Sequence, residues 1–318
     1  MKKRVLLTHP LFEEVHQKLS SLFDLEIGIK DRLDLLEKIQ DKDALLCFLK
    51  DPVDREVIER GKKLKIIANY AVGYDNIDVE AAAERGIIVT NTPDLLTDAT
   101  ADLTWALILA VARRVVEAHQ FTVEGKFRGW EARLFLGKEL RGKRLGIVGM
   151  GRIGRAVAKR ARGFSMEVVY YSRGRLKPHE EASLCARYLP LDELISTSDI
   201  VTLHVPLTKE TENLINRERI YKMKKGAILI NTARGPVIDE EALIERLRDG
   251  SLFGAGLDVY REEPEINPEF FKLKNVVLLP HIGSATEETR LAMAHLAADN
   301  IIAVLSGKPP LTPVWREK

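Results

Sequence analysis

The sequence predicts an α/β fold built from two doubly wound parallel-sheet domains, and three observations predict it. Short β-rich apolar runs alternate with helical patterns up to about residue 93, the alternation resumes after residue 143, and the second stretch opens on a turn with G-x-G-x-x-G spacing. Strands that alternate with helices are joined by crossovers, so they run parallel and carry helices on both faces.

In the first stretch, strands are expected at residues 4–7, 25–29, 44–49, 64–69 and 87–89, with helices at 11–23, 33–39 and 55–60 between them. Thr97 or Asp98 can then cap a long helix over 99 to about 117, whose Leu103, Ala106, Leu107, Ala110 and Val111 form a broad apolar face. So apolar a helix is expected between layers or domains. Residues 121–140 are looser, with Gly125, Gly129 and Gly137 separating Phe127, Trp130 and Phe135. They read as an arm that packs on the core or reaches a second subunit.

The apolar run 145–148 ends at Gly149, Gly151 and Gly154, and an amphipathic helix opens there with Arg152 and Ile153. The first glycine permits a tight turn, the second lets backbone approach a pyrophosphate, and the third lets the helix pack close to the strand. The helix then aims its unpaired N–H groups at the phosphates. Glycine turns of this spacing also cover ATP in kinases or merely reverse a chain; the strand before and the helix after favour a dinucleotide-binding Rossmann unit.

A fold of this kind that prefers NAD places an acid about 20 residues past the first glycine, on the ribose 2′-hydroxyl. Here the second strand ends instead in Tyr170, Tyr171, Ser172, Arg173, Gly174 and Arg175, and Glu167 sits at its opposite end. An acid would repel a 2′-phosphate, whereas a hydroxyl and two guanidinium groups can hold one. NADP is therefore the expected cofactor, with NAD possible. The bland alternative is a solvated basic loop of Arg173, Arg175 and Lys177.

Composition bounds the partners. The 318 residues, 45% hydrophobic and 30% charged, suit a two-domain globular chain with a sizeable core. Forty-nine basic against 47 acidic residues give +2, which offers no global attraction to nucleic acid or an anionic membrane. Cys47 and Cys185 fit no C-x-x-C pattern and read as reduced thiols of a cytoplasmic protein. The apolar start breaks at Thr8, His9 and Pro10, too soon for a signal peptide, and the run 105–112 is too short to span a bilayer. No H-E-x-x-H or cysteine cluster points to a metal.

After the glycine turn, helices are expected at 191–196, 215–223 and 240–249 and strands at 200–205, 227–231, 254–259 and 276–279, which makes six parallel strands available. A last helix over about 286–305 closes the chain and is expected to cross back to the first domain. Gly254 and Gly256 lack a third partner and read as close packing. Ligands of open α/β sheets bind outside the carboxyl ends of the strands, and three segments fall there: 230–240, 257–268 and 278–290. Each offers one candidate: Arg234, Glu263 and His281. Reduction of a carbonyl by hydride needs a proton donor, a cation to bind and polarise the substrate, and a group that keeps the donor charged. A carboxylate beside an imidazolium does the last of these. His9, His16, His119, His179, His204 and His295 lack such company and read as structural or exposed.

The order Arg, Glu, His, with NYAVGYDNIDVEAAAERGIIVTNTPD, GMGRIG and PHIGSAT, resembles the D-isomer-specific 2-hydroxyacid dehydrogenase family, and within it the glyoxylate/hydroxypyruvate reductase branch. The resemblance implies a flavodoxin-like substrate domain at 1–97 plus 287–318, interrupted by a Rossmann cofactor domain at 98–286, closing about hinges at 95–98 and 284–287. It implies a cytoplasmic oxidoreductase acting on a small 2-oxo or 2-hydroxy acid, with His281 as acid/base, Glu263 holding it and Arg234 on the substrate carboxylate and carbonyl. Backbone N–H groups of Val72 and Gly73 would bind the carboxylate. Val205, Thr232, Ala233, Arg234, Asp258 and the loop His281, Gly283, Ser284 would line the cofactor, Asp258 near the nicotinamide. A homodimer is expected through the arm, with Leu134 or Phe135 reaching the partner's site. The missing acid departs from the NAD-preferring pattern. Two other readings stay open: a D-3-phosphoglycerate dehydrogenase, which would want extra cations and for which a chain ending at 318 leaves no regulatory extension, and a non-catalytic NAD(P)-sensing protein like the corepressors, whose terminal extensions the short ends lack.

Overall fold

The computed structural model describes residues 2–314; Met1 and 315–318, which the domain boundaries above include, lie outside the described residues. Residues up to Leu96 together with those from Ser284 onward form one compact unit, and Thr97–Gly283 forms a second.

The first unit runs β1 (Arg4–Leu7), α1 (Glu13–Leu22), β2 (Asp24–Ile27), α2 (Arg32–Lys38), β3 (Ala44–Cys47), α3 (Arg55–Arg60), β4 (Ile66–Asn69), α4 (Val79–Glu84) and β5 (Ile88–Thr90). The parallel sheet has the order β2-β1-β3-β4-β5, the flavodoxin-like arrangement. Its central strands β3 and β4 are buried at every residue, which is why they read as unbroken apolar runs rather than alternating ones. Asp31, Asp54 and Asp78 cap α2, α3 and α4, each accepting from an N–H three residues on. Helix α4 is absent from the sequence expectation. It has six residues and buries only Ala81 and Ala82, too little apolar signal to mark a period.

The second unit begins with α5 (Thr97–Ala112) and α6 (Val115–Val123). The sequence predicts one continuous helix over 99–117, and the structure corrects this. Arg114 sits between the two helices in the left-handed region at φ +55° and pairs with Glu117 at 2.8 Å. The cause is long-range: the Lys138 N–H takes the Ala112 carbonyl at 2.7 Å, and Gly137 lies where an added Cβ would be 2.3 Å from that oxygen. The arm consequently starts later, because α6 carries the chain to Val123.

There follow β6 (Arg144–Val148), α7 (Arg152–Ala161), β7 (Glu167–Tyr171), α8 (Pro178–Leu184), β8 (Ala186–Tyr188), α9 (Leu191–Thr197), β9 (Ile200–Leu203), α10 (Arg217–Lys222), β10 (Ile228–Asn231), α11 (Glu240–Arg248), β11 (Gly254–Leu257) and β12 (Val276–Leu278). The sheet is parallel with the order β12-β11-β10-β9-β6-β7-β8. It has seven strands, not six: β8 is a three-residue edge strand, too short to show alternation. Helix α5 packs on α7, β10 and β11, so its apolar surface lies between layers as expected. Trp105 stacks on Phe164 at 4.3 Å and donates to the Val157 carbonyl at 3.2 Å. A Cβ on Gly256 would come within 3.0 Å of Leu107, so that glycine does serve close packing. The last helix, α12 (Glu287–Leu305), is capped by Thr286 and lays Ala294, Ala297, Ala298 and Ile301 against β3 and β4 of the first unit.

Candidate functional site

The glycine turn has the three properties its spacing requires. Gly149 is at φ +98°, where an added Cβ would collide with the His204 carbonyl at 2.5 Å and Val205 Cγ1 at 2.9 Å. A Cβ on Gly151 would meet nothing within 4 Å, and one on Gly154 would lie 2.1 Å from the Gly149 oxygen. The turn is therefore forced tight at one glycine, open at the next and closed onto the helix at the third. Gly151 is the N-cap of the ten-residue α7, which opens with Arg152 and Ile153, and supplies no side-chain cap of its own. The Ile153 side chain packs against the core, and Val205 leans on the turn. These features fit a bound pyrophosphate. His204 lies behind them with its ring against Thr202 Oγ1 at 3.0 Å; burial pushes its pKa down to about 3, so it stays neutral.

At the end of β7, Arg175 has a partner on its own chain. Arg175 binds Glu181 through both Nε, at 2.9 Å, and Nη2, at 3.0 Å. The Tyr170 hydroxyl donates to the same carboxylate at 2.7 Å and accepts from the Leu176 N–H at 2.8 Å. The Arg175 guanidinium, with Tyr170, holds the Glu181 carboxyl below its ordinary range. Arg175 is thus committed to its own chain, because α8 returns Glu181 to it. Ser172 is half-buried and Arg173 is exposed beside it. Glu167, at the other end of the strand, binds Arg144 at 3.0 Å and Arg187 at 3.2 Å.

The three chemical candidates come from the carboxyl ends of β10, β11 and β12. Asn231, buried at the end of β10, ties the next turn to itself: its Nδ2 donates to the Arg234 carbonyl at 2.8 Å and its Oδ1 accepts from the Ala233 N–H at 3.0 Å. Thr232 and Ala233 are buried, and Arg234 Nη1 donates to the Ala233 carbonyl at 2.8 Å. After β11, the Tyr260 N–H donates to Glu263 Oε1 at 3.0 Å, while the Tyr260 hydroxyl donates to the Leu279 carbonyl at 2.8 Å. After β12, His281 Nδ1 lies 2.7 Å from Glu263 Oε2. A carboxylate only accepts, so Nδ1 carries hydrogen and donates, and Nε2 is the nitrogen left for other work.

Burial is the largest single influence on Glu263 and pushes its carboxyl up, but the His281 hydrogen bond and charge, the Tyr260 N–H and the nearby Arg234 guanidinium together outweigh it and leave the carboxyl below its usual range. Asp258 is 1% exposed and accepts from the Ile282 N–H at 2.7 Å. Burial pushes its carboxyl up, and that N–H offsets part of the effect. His281 itself is left-handed at φ +54°, a conformation that a residue with a Cβ keeps where its surroundings impose it. Gly283 ends the second unit and Ser284 belongs to the first, where its carbonyl accepts from the Thr286 N–H at 2.9 Å.

In the first unit, the turn after β4 is held by side-chain amides. Asn69 Nδ2 donates to the Gly73 carbonyl and Asn91 Nδ2 to the Val72 carbonyl, both at 2.8 Å. Among the described residues, the Val72 and Gly73 N–H groups donate to no protein acceptor. Sequence reasoning missed Asn69, Asn231, Tyr260 and Glu181. Asn231 alone carried a usable signal, an asparagine at a strand end before a turn.

Among the described residues no three metal-ligating side chains gather, and no helix is long and apolar enough to cross a membrane. The sequence pattern of the D-isomer specific 2-hydroxyacid dehydrogenase NAD binding domain matches residues 105–283. The chain is 53% identical over 319 residues to a glyoxylate reductase of Thermococcus litoralis, covering 98% of this chain and 96% of that one. A crystal structure of a protein from Thermus thermophilus superposes with a TM-score of 0.93 at 49% identity, covering 98% and 100% of the two chains. An NADPH-dependent glyoxylate/hydroxypyruvate reductase of Sinorhizobium meliloti, crystallised with NADP and malonate, superposes with a TM-score of 0.90 at 32% identity, covering 100% and 99%.

Proposed function

Because the chain belongs to the D-isomer specific 2-hydroxyacid dehydrogenase family, we propose that it reduces glyoxylate, and by the same chemistry hydroxypyruvate, with NADPH preferred over NADH. The observation that carries this reading is the 2.7 Å pair of Glu263 and His281, with Arg234 close enough to lower the same carboxylate. The relatives favour it over a phosphoglycerate dehydrogenase or a cofactor-sensing corepressor.

The cofactor supplies a hydride when bound. Gly149, Gly151, Gly154 and the α7 N-terminus, with the N–H groups of Arg152 and Ile153, are assigned to its pyrophosphate. Ser172 and Arg173 are assigned to the 2′-phosphate, with Arg175, shared with Glu181, adding a smaller part, and Val205, Thr232, Ala233, Asp258, Gly283 and Ser284 to the remainder. His281 holds its proton on Nε2 and delivers it to the substrate carbonyl oxygen during reduction, while Glu263 favours the imidazolium and fixes the ring. Arg234 binds the carboxylate and polarises the carbonyl; a guanidinium does so with paired donors and stays charged. The Val72 and Gly73 N–H groups are assigned to the carboxylate as well.

We assign the substrate domain to 1–97 plus 287–318 and the cofactor domain to 98–286. A homodimer is proposed from the exposed Phe127, Trp130 and Leu136 of the arm. Phe135 packs on its own Phe121 at 5.2 Å, which leaves Leu134 as the residue to reach a partner's site. The free thiols Cys47 and Cys185 suit a cytoplasmic setting. The test is loss of NADPH or NADH absorbance with a panel of 2-oxo acids. Turnover with glyoxylate and hydroxypyruvate is expected, faster at low cofactor with NADPH; tight cofactor binding without turnover of any acid would overturn the reading.

A further inference from the structure

The loops carrying Arg234 and His281 leave β10 and β12, which β11 keeps apart in the sheet. Both are nonetheless tied to one face of α5. Thr100 and Thr104 lie one helical turn apart, so their side chains share that face, and they are 4% and 0% exposed. Thr100 Oγ1 donates to the Gly283 carbonyl at 3.0 Å. Thr104 Oγ1 lies 2.8 Å from the Thr100 carbonyl and 3.0 Å from Thr232 Oγ1.

The direction of this chain of bonds follows from counting hydrogens. A hydroxyl has one, and a carbonyl only accepts. Thr104 therefore gives its hydrogen to the Thr100 carbonyl and must accept from the Thr232 hydroxyl. That leaves the Thr232 oxygen only as an acceptor toward any further group. A single turn of α5 thus fixes the orientation of a side chain next to Arg234 and the carbonyl two residues after His281.

The loop after β12 has a second tether of the same kind. Asp258 accepts from the Ile282 N–H at 2.7 Å, and a Cβ on Gly283 would lie 3.3 Å from Asp258 Oδ2 and 3.5 Å from Thr100. His281, left-handed and one residue outside these tethers, has no side-chain bond of its own in the described structure except that to Glu263. Its ring can stay on Glu263 only while the backbone behind it is held.

We propose that Thr100 is a positioning residue for His281 and that Thr104 plays the same part for the Thr232–Arg234 turn, a proposal that rests on the reading of His281 as the proton donor. A buried carbonyl that loses its donor reorganises to find another, and the ring it supports moves with it.

The test compares Thr100→Val, which keeps the shape and removes the hydroxyl, with Thr100→Ser, which keeps the hydroxyl and removes the methyl. Three readouts are taken: kcat and KM for glyoxylate at saturating NADPH, NADPH affinity from quenching of tryptophan fluorescence, and hydrogen exchange of the amides at Ile282 and Gly283. In Thr100→Val, kcat is expected to fall about tenfold, equivalent to about 1.4 kcal/mol, with KM and NADPH affinity changed less than about twofold and faster exchange at both amides. Thr100→Ser is expected to restore all three. A normal valine variant beside an impaired serine variant would show a packing role and overturn the proposal. If the valine variant does not fold, Thr100→Ser decides alone, since faster exchange at Ile282 and Gly283 with the hydroxyl present overturns it. Should the wild-type chain turn over no 2-oxo acid, the functional reading fails, and unchanged exchange in Thr100→Val would separately overturn the positioning role.

Discussion

Replacing Glu263 with Gln isolates the charge of the carboxylate, because the amide oxygen can still accept from the His281 Nδ1–H. The contact is short, 2.7 Å, but each side chain is 33% exposed, so solvent screens the pair. A hydrogen bond to a charged partner contributes roughly 1.5–3 kcal/mol and a neutral one about 1. With screening the difference comes to about 1.4 kcal/mol, or about tenfold in rate. In the proposed reading reduction uses the proton that His281 delivers, and the carboxylate holds the ring that carries it. In Glu263→Gln, kcat for glyoxylate reduction should therefore fall about tenfold while NADPH affinity stays within about twofold of the wild type. An unchanged kcat, or a loss confined to NADPH affinity, would refute the role given to Glu263. The wild-type carboxyl is held below its ordinary range. Its stabilisation of the pair is therefore complete above about pH 4.3, the unperturbed value, and disappears only as pH falls through the lowered one.

Arg173→Ala should raise the KM for NADPH while leaving that for NADH unchanged, and equal effects on both cofactors would return Arg173 to the role of a solvated loop residue. Gly154→Ala places a Cβ 2.1 Å from the Gly149 carbonyl; overpacking of this kind costs about 1–3 kcal/mol, to be read as a lowered melting temperature together with weakened NADPH binding, and a variant that keeps both would show that the turn can yield. Trp130, 85% exposed on the arm, should when changed to Arg convert a dimer to a monomer by light scattering, and a monomeric wild-type chain at micromolar concentration would dismiss that interface.

Much of the fold is legible in the sequence because its strands are doubly covered. β3, β4, β9 and β10 are buried at every residue, so each appears as an apolar run between helical patterns. The illegible elements lack that contrast. Strand β8 is three residues at an edge, and α4 buries two alanines. The break at Arg114 is hidden for another reason: nothing between 99 and 117 forbids a helix, and the competitor for the Ala112 carbonyl is Lys138, whose approach depends on the path of the arm. Local propensity has no access to that contact.

The site divides along the same line. Arg234, Glu263 and His281 are visible because ionisable residues at the carboxyl ends of successive parallel strands have few structural reasons to be there. Their supports are not, because each acts through a hydrogen bond to a residue distant in sequence: Thr100 to Gly283, Thr104 to Thr232, Tyr260 to Leu279. Threonines on an apolar helix look like weak helix formers, and only the packing of α5 on β10 and β11 turns them toward the loops. The same physics bears on the cofactor. Two arginines after β7 suggest two ligands for a 2′-phosphate, yet Glu181, returned by α8, occupies Arg175. A phosphate at that position would have to share Arg175 with a carboxylate that repels it, so the margin for NADP should be carried mainly by Arg173 and Ser172. Glu181→Gln, which removes the repulsion and keeps a hydrogen-bonding partner for Arg175, should then tighten NADPH without affecting NADH, and an equal change for both cofactors would place Arg175 outside the recognition of the 2′ position.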